Sequence, residues 1–154
     1  MAEDTIDQAA TLADVEERPS VTKHLHIHGW HEHPEQFGDL SQYGSDAPGV
    51  KGLMRDRPEL ADTFDDRLPI RKAMVIWGTR HEMARQVEDI LARRTRSLLL
   101  NARAALDIAP EVAKLMAEEL GEGDDWVDDQ VEAFTEVAQN YMLAPESTKV
   151  QSTT

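Results

Sequence analysis

Five of the six histidines of this 154-residue chain fall within ten positions, in the run KHLHIHGWHEH: His24, His26, His28, His31 and His33. On an extended backbone alternate positions share a face, so His24, His26 and His28 can offer three imidazoles to a divalent metal, with His31 and His33 completing the set. No carboxylate or cysteine stands at a spacing typical of a known metal centre, and the same face serves equally as plain surface. The sixth histidine opens the segment HEMAR, which begins like a helical zinc-protease motif. Arg85 occupies the position where that chemistry needs its second histidine, so His81 reads as a helix residue bonded to a neighbour.

The other concentration of chemistry is ILARRTRSLLLNAR, where Arg93, Arg94, Arg96 and Arg103 carry forked donors suited to phosphate or carboxylate. Two uses are open. The cluster can bind an acidic or phosphorylated partner, or it can pair internally with Glu82, Glu88 and Asp89; arginine's aptitude for partly buried ion pairs favours the second. Between Ile70 and Arg103 eight basic residues face three acidic ones, a local balance of +5, whereas between Asp107 and Glu136 only Lys114 opposes a long acidic series. These stretches either neutralise each other within the fold or turn opposite faces to a partner. Nothing assembles a nucleophile: there is no GxSxG elbow, no GxxxxGK[ST] phosphate cradle and no GxGxxG opening a strand–helix unit. Asp124 and Asp125 read as a helix cap. No catalytic, cofactor-binding or metal-ligating residue is assigned.

The elements that carry these groups are helical. Ile6, Ala9, Ala10 and Ala13 recur at helical steps in residues 1–17. Residues 21–30 alternate and predict a short strand or extended segment. Residues 31–69 hold Pro34, Gly38, Gly44, Pro48, Gly49, Gly52, Pro58 and Pro69, which cut the stretch into turns and short helical pieces. Beyond Pro69, Ile70, Ala73, Met74, Trp77, His81, Ala84, Val87 and Leu91 predict one long helix. A second helix is expected from Ser97 to just before Pro110, a third from Pro110 to Gly121, and a fourth from Asp124 or Asp125 through Val127, Val131, Phe134, Ala138 and Tyr141. The expected class is all-α, a helical bundle-like domain with a short extended segment near the N-terminus.

Composition narrows the function classes. The net charge is −14, with 30 acidic and 16 basic residues, so the overall field repels phosphate backbones and argues against nucleic acid as a partner. No cysteine is present, which excludes a disulfide framework and cysteine-ligated zinc. The apolar runs, such as Leu98 to Leu100, fall far short of the ~20 residues a membrane-spanning helix needs. With no signal-peptide layout, the expected location is cytoplasmic.

The run RHEMARQVEDILARRTRSLLLNARAALDIAPEVAKLMAEELG, from Arg80 to Gly121, resembles the C-terminal helical domain of the FAD-dependent respiratory glycerol-3-phosphate dehydrogenases. The likeness is carried by Arg80 with Glu82, by VEDILARRTR, by NARAA, and by APEVAKLMAEELG followed by an acidic, aromatic-bearing helix. MAEDTIDQA resembles the helix that follows the last flavin-contacting loop in that family, and VTKHLHIHG resembles the linker strand into the C-terminal domain. The histidines His24, His26, His31 and His33 are not a feature of the family.

The resemblance implies a division of residues 1–20 as the last helix of a flavin domain absent from this chain, 21–69 as linker strand and short helices, 70–143 as the bundle, and 144–154 as a disordered tail. It implies that the FAD and substrate sites lie upstream, and that no cofactor is held here. Arg80, Glu82, Glu88, Asp89, Arg93, Arg94, Arg96 and Asn101 then belong to a structural domain, in ion pairs or at a docking face. The implied partners are the upstream flavin domain of the same polypeptide and a second subunit. The implied parent oxidises glycerol 3-phosphate to dihydroxyacetone phosphate and passes electrons to quinone at the cytoplasmic face of the inner membrane.

Overall fold

In the computed structural model residues 2–13, 15–16 and 18–142 are described, and the expected disordered tail at 144–154 lies outside them. The described chain is all-α: it contains no strand, and its only β-type pairing is an isolated bridge between Thr63 and Arg71. The elements are α1 (Ala2–Ala13), a 3-10 stretch at Pro34–Asp46, α2 (Ala47–Asp56), a 3-10 turn at Pro58–Ala61, α3 (Lys72–His81), a π-helical turn at Asp89–Arg94, α4 (Ser97–Leu100), α5 (Ala102–Leu120) and α6 (Asp124–Gln139).

Helix α5 is the axis of the fold, packing against α3, α4 and α6. Its inward positions are Ala104, Ala105, Ile108, Ala109, Val112, Ala113, Met116 and Ala117. Small side chains dominate that face, so neighbouring helices approach closely while Phe134 of α6 and Met74 of α3 fill the space between them. Gly121 ends α5 at φ +75, and its N–H and that of Glu122 both donate to the Ala117 carbonyl.

Three sequence expectations change. The helix foreseen from Ile70 to Leu91 stops at His81: Met83 takes φ +56, and the Glu82 and Ala84 N–H groups both donate to the Gly78 carbonyl. Ala84, Val87 and Leu91 are nonetheless fully buried, because the chain re-enters the core through the π-helical turn. The helices foreseen on either side of Pro110 are one helix, with Pro110 exposed in its interior. Burial of Ala105, Ile108, Ala109, Val112 and Ala113 around it outweighs the lost hydrogen bond. The strand expected at residues 21–30 is absent. Turns close Val21 to His24 and Ile27 to Trp30 instead, since no second strand lies alongside to satisfy the backbone.

α1 forms where expected, yet none of its residues is buried; Ile6 and Leu12 stay 68% and 89% exposed. No helix among the described residues is long and apolar enough to cross a membrane.

Asn101, rather than Ser97, starts the long helix. Its side-chain carbonyl accepts from the Ala104 N–H at 3.1 Å while its own backbone is extended. Asn101→Ala should cost about 1 kcal/mol, and Asn101→Asp only a few tenths, in urea unfolding; equal losses for both would show that the cap contributes little.

Candidate functional site

Two sequence features meet in space: the turn at His28 and Gly29 within the histidine run and the arginine-rich segment. Most of the basic residues there are spent on oxygens of the same domain. Arg80 on α3 pairs with Glu119 near the end of α5, not with Glu82. Arg93 donates to Glu88 at 2.8 Å and also pairs with Asp89. Arg94 donates to the Asp89 carbonyl at 2.9 Å and to the Glu82 carbonyl, and its Nε lies 3.3 Å from the Glu82 carboxylate. Arg85 closes the end of α3 through the Thr79 and Ala84 carbonyls. Arg96 stands apart: it is exposed, at φ +56, with no ion-pair partner among the described residues.

Beside this network opens a cleft of about 220 Å³, lined by His28, Gln42, Tyr43, Asp46, Glu82 and Arg94, with Gly29 at its edge. Glycine chemistry builds it. Gly29 and Gly44 adopt φ +81 and +50, and a Cβ on Gly44 would sit 1.8 Å from the Gly29 carbonyl oxygen. That approach lets the Ser45 N–H donate to Gly29 at 3.1 Å and brings His28 Nε2 to 2.8 Å from Asp46. Glu82 and Arg94 enter from the other side because Met83 breaks α3.

Burial pushes the Tyr43 phenol upward, and the Glu82 charge adds to the shift, so Tyr43 is a neutral hydroxyl at physiological pH. Burial also raises the Glu82 carboxyl; Arg94 offsets this in part and Asp46 adds to it. For Asp89 burial acts in the same upward direction, but the Arg85 and Gln86 N–H groups and Arg93 outweigh it and hold the carboxyl low. Tyr43, Gln42 and Asp46 carried no sequence signal beyond the neighbouring Gly44.

The opposite shifts give opposite pH dependences. Glu82 takes up its proton more readily folded than unfolded, so its contribution favours folding in acid and declines as pH rises through its folded pKa. Asp89 contributes above the ordinary carboxylate range and loses that contribution as pH falls through its folded value. Glu82→Gln removes the first term, so the variant should gain on the parent as unfolding is measured from about pH 4 to pH 7. Parallel curves would mean that the Arg94 pairing cancels the cost of burial.

The histidines do not converge. His26 stacks on Trp30 at 3.6 Å, His31 meets the edge of Phe37, and His33 lies 3.4 Å from Glu35. Among the described residues no group of three histidine, aspartate or glutamate side chains is placed to hold a metal ion. No strand among those residues leads into a helix over a glycine turn, and the cleft's one guanidinium is already engaged by protein oxygens. The arrangement therefore braces segments against one another, and no nucleophile or open anion cradle stands in the cleft.

No curated protein and no solved structure matches the chain. One family does, that described as the C-terminal domain of alpha-glycerophosphate oxidase, over residues 20–131. The match begins in the turn segment before the cleft and runs into α6, taking in the whole arginine network. With 112 of its 154 residues inside that match, the chain belongs to the family of the C-terminal domain of alpha-glycerophosphate oxidase.

Proposed function

We propose that this chain is the accessory domain of a larger FAD-dependent enzyme that oxidises glycerol 3-phosphate, and that its role is packing and docking. The observation that carries the reading is the family match across the cleft and the arginine network, combined with a network whose paired members join segments of one domain. The reaction of the whole enzyme would remove two electrons and two protons from glycerol 3-phosphate to give dihydroxyacetone phosphate, with quinone reduced to quinol. FAD and the substrate groups would be held by the flavin domain, located at the cytoplasmic face of the membrane. This chain would add no catalytic group.

The exposed apolar residues before the cleft support the docking role. Ile6, Leu12, Val15, Val21, Leu25 and Ile27 are all more than half exposed, an unusual density for a free surface. They offer the upstream flavin domain exposed apolar side chains to bury.

The test is an immunoblot of native host lysate with an antibody against this domain, coupled to flavin analysis of the precipitated protein. The expected result is a band several-fold heavier than the 17.3 kDa of this chain, with flavin and glycerol 3-phosphate-dependent dye reduction in the precipitate. A band at 17.3 kDa without flavin would overturn the reading.

A further inference from the structure

Helix α5 carries a knob at one end and a hollow at the other. The knob is α4. Ser97 and Leu98 are buried and pin it, and Thr95 bonds both the Ser97 hydroxyl and the Ile90 carbonyl at 2.8 Å. The next two residues, Leu99 and Leu100, are 63% and 61% exposed on this braced corner. Arg96 and Arg103 flank them, both exposed and neither with an ion-pair partner among the described residues. A left-handed backbone at a non-glycine residue costs roughly 1–2 kcal/mol, so Arg96 is held in place by its surroundings.

The hollow lies where α5 turns into α6 and has a volume of about 270 Å³. Ala117 and Val127 form its apolar floor, Glu118, Glu122 and Asp124 stand around it, and Lys114 is at one edge. Its chemistry is the complement of the knob: apolar surface ringed by carboxylates against leucines ringed by guanidinium groups. At ~1.5 Å per residue the 19 residues of α5 separate the two by roughly 28 Å, so a knob cannot reach the hollow of its own chain.

We propose that copies of this chain associate head to tail, the Leu99–Leu100 corner of one copy seating in the acidic-rimmed hollow at the α5–α6 turn of the next. The contact is heterologous, so it leaves a free knob and a free hollow at the ends of each assembly and extends with concentration. Two leucines in a hollow of about 270 Å³ make a small contact, and the guanidinium–carboxylate ring around them makes it sensitive to salt.

Sedimentation of the full chain from about 10 µM to about 1 mM tests this, in the range where so small an interface is populated. Association should weaken about tenfold or more in Leu100→Asp and, separately, in Glu122→Arg, with far-UV circular dichroism unchanged. The decisive measurement mixes those two variants. Each retains the half that the other lacks, so the mixture should form heterodimers and stop there. A chain that stays monomeric, association indifferent to both substitutions, or a mixture that does not pair would each overturn the proposal.

Discussion

Arg94→Met should lower the stability of the domain by about 2–3 kcal/mol, roughly 6–10 °C in Tm, the largest single loss expected from any charged residue in the chain. The side chain is only 24% exposed and joins two places in the sequence: the end of α3 at Glu82 and the start of its own π-helical turn at Asp89. Methionine keeps the stem that packs beside Gly78, so the substitution removes donors while leaving the volume filled. What is left behind is two carbonyls, of Glu82 and Asp89, without this donor and two partly buried carboxylates sharing less positive charge. That uncompensated state, more than the lost attraction, sets the size of the effect.

Two companions make the measurement decisive. Arg94→Lys should recover less than half of the loss, because one ammonium cannot reach a carbonyl on each side as the fork does. Arg93→Met should cost within about 0.5 kcal/mol, since Arg93 is 56% exposed and its pairs with Glu88 and Asp89 are screened by solvent. Equal, small losses at both arginines in calorimetric unfolding would mean that the network is surface decoration.

This internal use of charge bears on function. The +5 stretch and the acidic series after it left two uses open, neutralisation within the fold or opposed faces for a partner, and most of the basic residues meet carboxylates or carbonyls of their own domain. Six of the 30 acidic residues stand on α6, where Asp124, Asp125, Asp128, Asp129, Glu132 and Glu136 meet no basic residue on the same helix. What is left for recognition is apolar or isolated: the residues of α1 and the turns after it, and the corner at Leu99 and Leu100.

The readable part of the fold was the part with uniform periodicity. The buried positions Val127, Phe134 and Ala138 of α6, and the stop of α5 at Gly121, follow from spacing and from one glycine, whereas Tyr141, expected on the same face, lies past the end of α6 and is 54% exposed. Spacing says which residues face the core, but it does not register the sign of φ. Ala84, Val87 and Leu91 kept their burial while Met83 turned the chain between them and α3, and no residue type there announced the turn. Pro110 misled in the opposite direction, since its local cost was visible and the packing that overrides it was not. The histidine face presumed a strand, and a strand presumes a neighbour that these residues lack. The cleft was legible least of all, because it joins Asp46, Glu82 and Arg94 from separate segments through a contact between two glycines.

That contact sets the last prediction. Gly44→Ala should release the turn at His28 and Gly29 while leaving the core folded. Gly44 sits at φ +50 and ψ −120, where an alanine is strained, and the added methyl would lie 1.8 Å from a backbone oxygen that has no rotamer to move. The cheaper escape is on the turn's side. Residues 21–28 are all exposed, so little burial is lost when the turn lifts away with the Ser45–Gly29 hydrogen bond and the His28–Asp46 pair. A strain of about 2 kcal/mol relieved by opening would raise the open population roughly 30-fold, and hydrogen exchange at the Ser45 amide should speed up accordingly. Tm should barely change. Gly49→Ala should behave in the reverse way. Its methyl would meet the Trp77 ring at 2.5 Å where α2 crosses α3, so it should cost about 1–3 kcal/mol in Tm with no particular effect at Ser45. If Gly44→Ala instead melted the whole domain, or left Ser45 as protected as before, the turn would not be the separable strap that its exposure and sparse bonding imply.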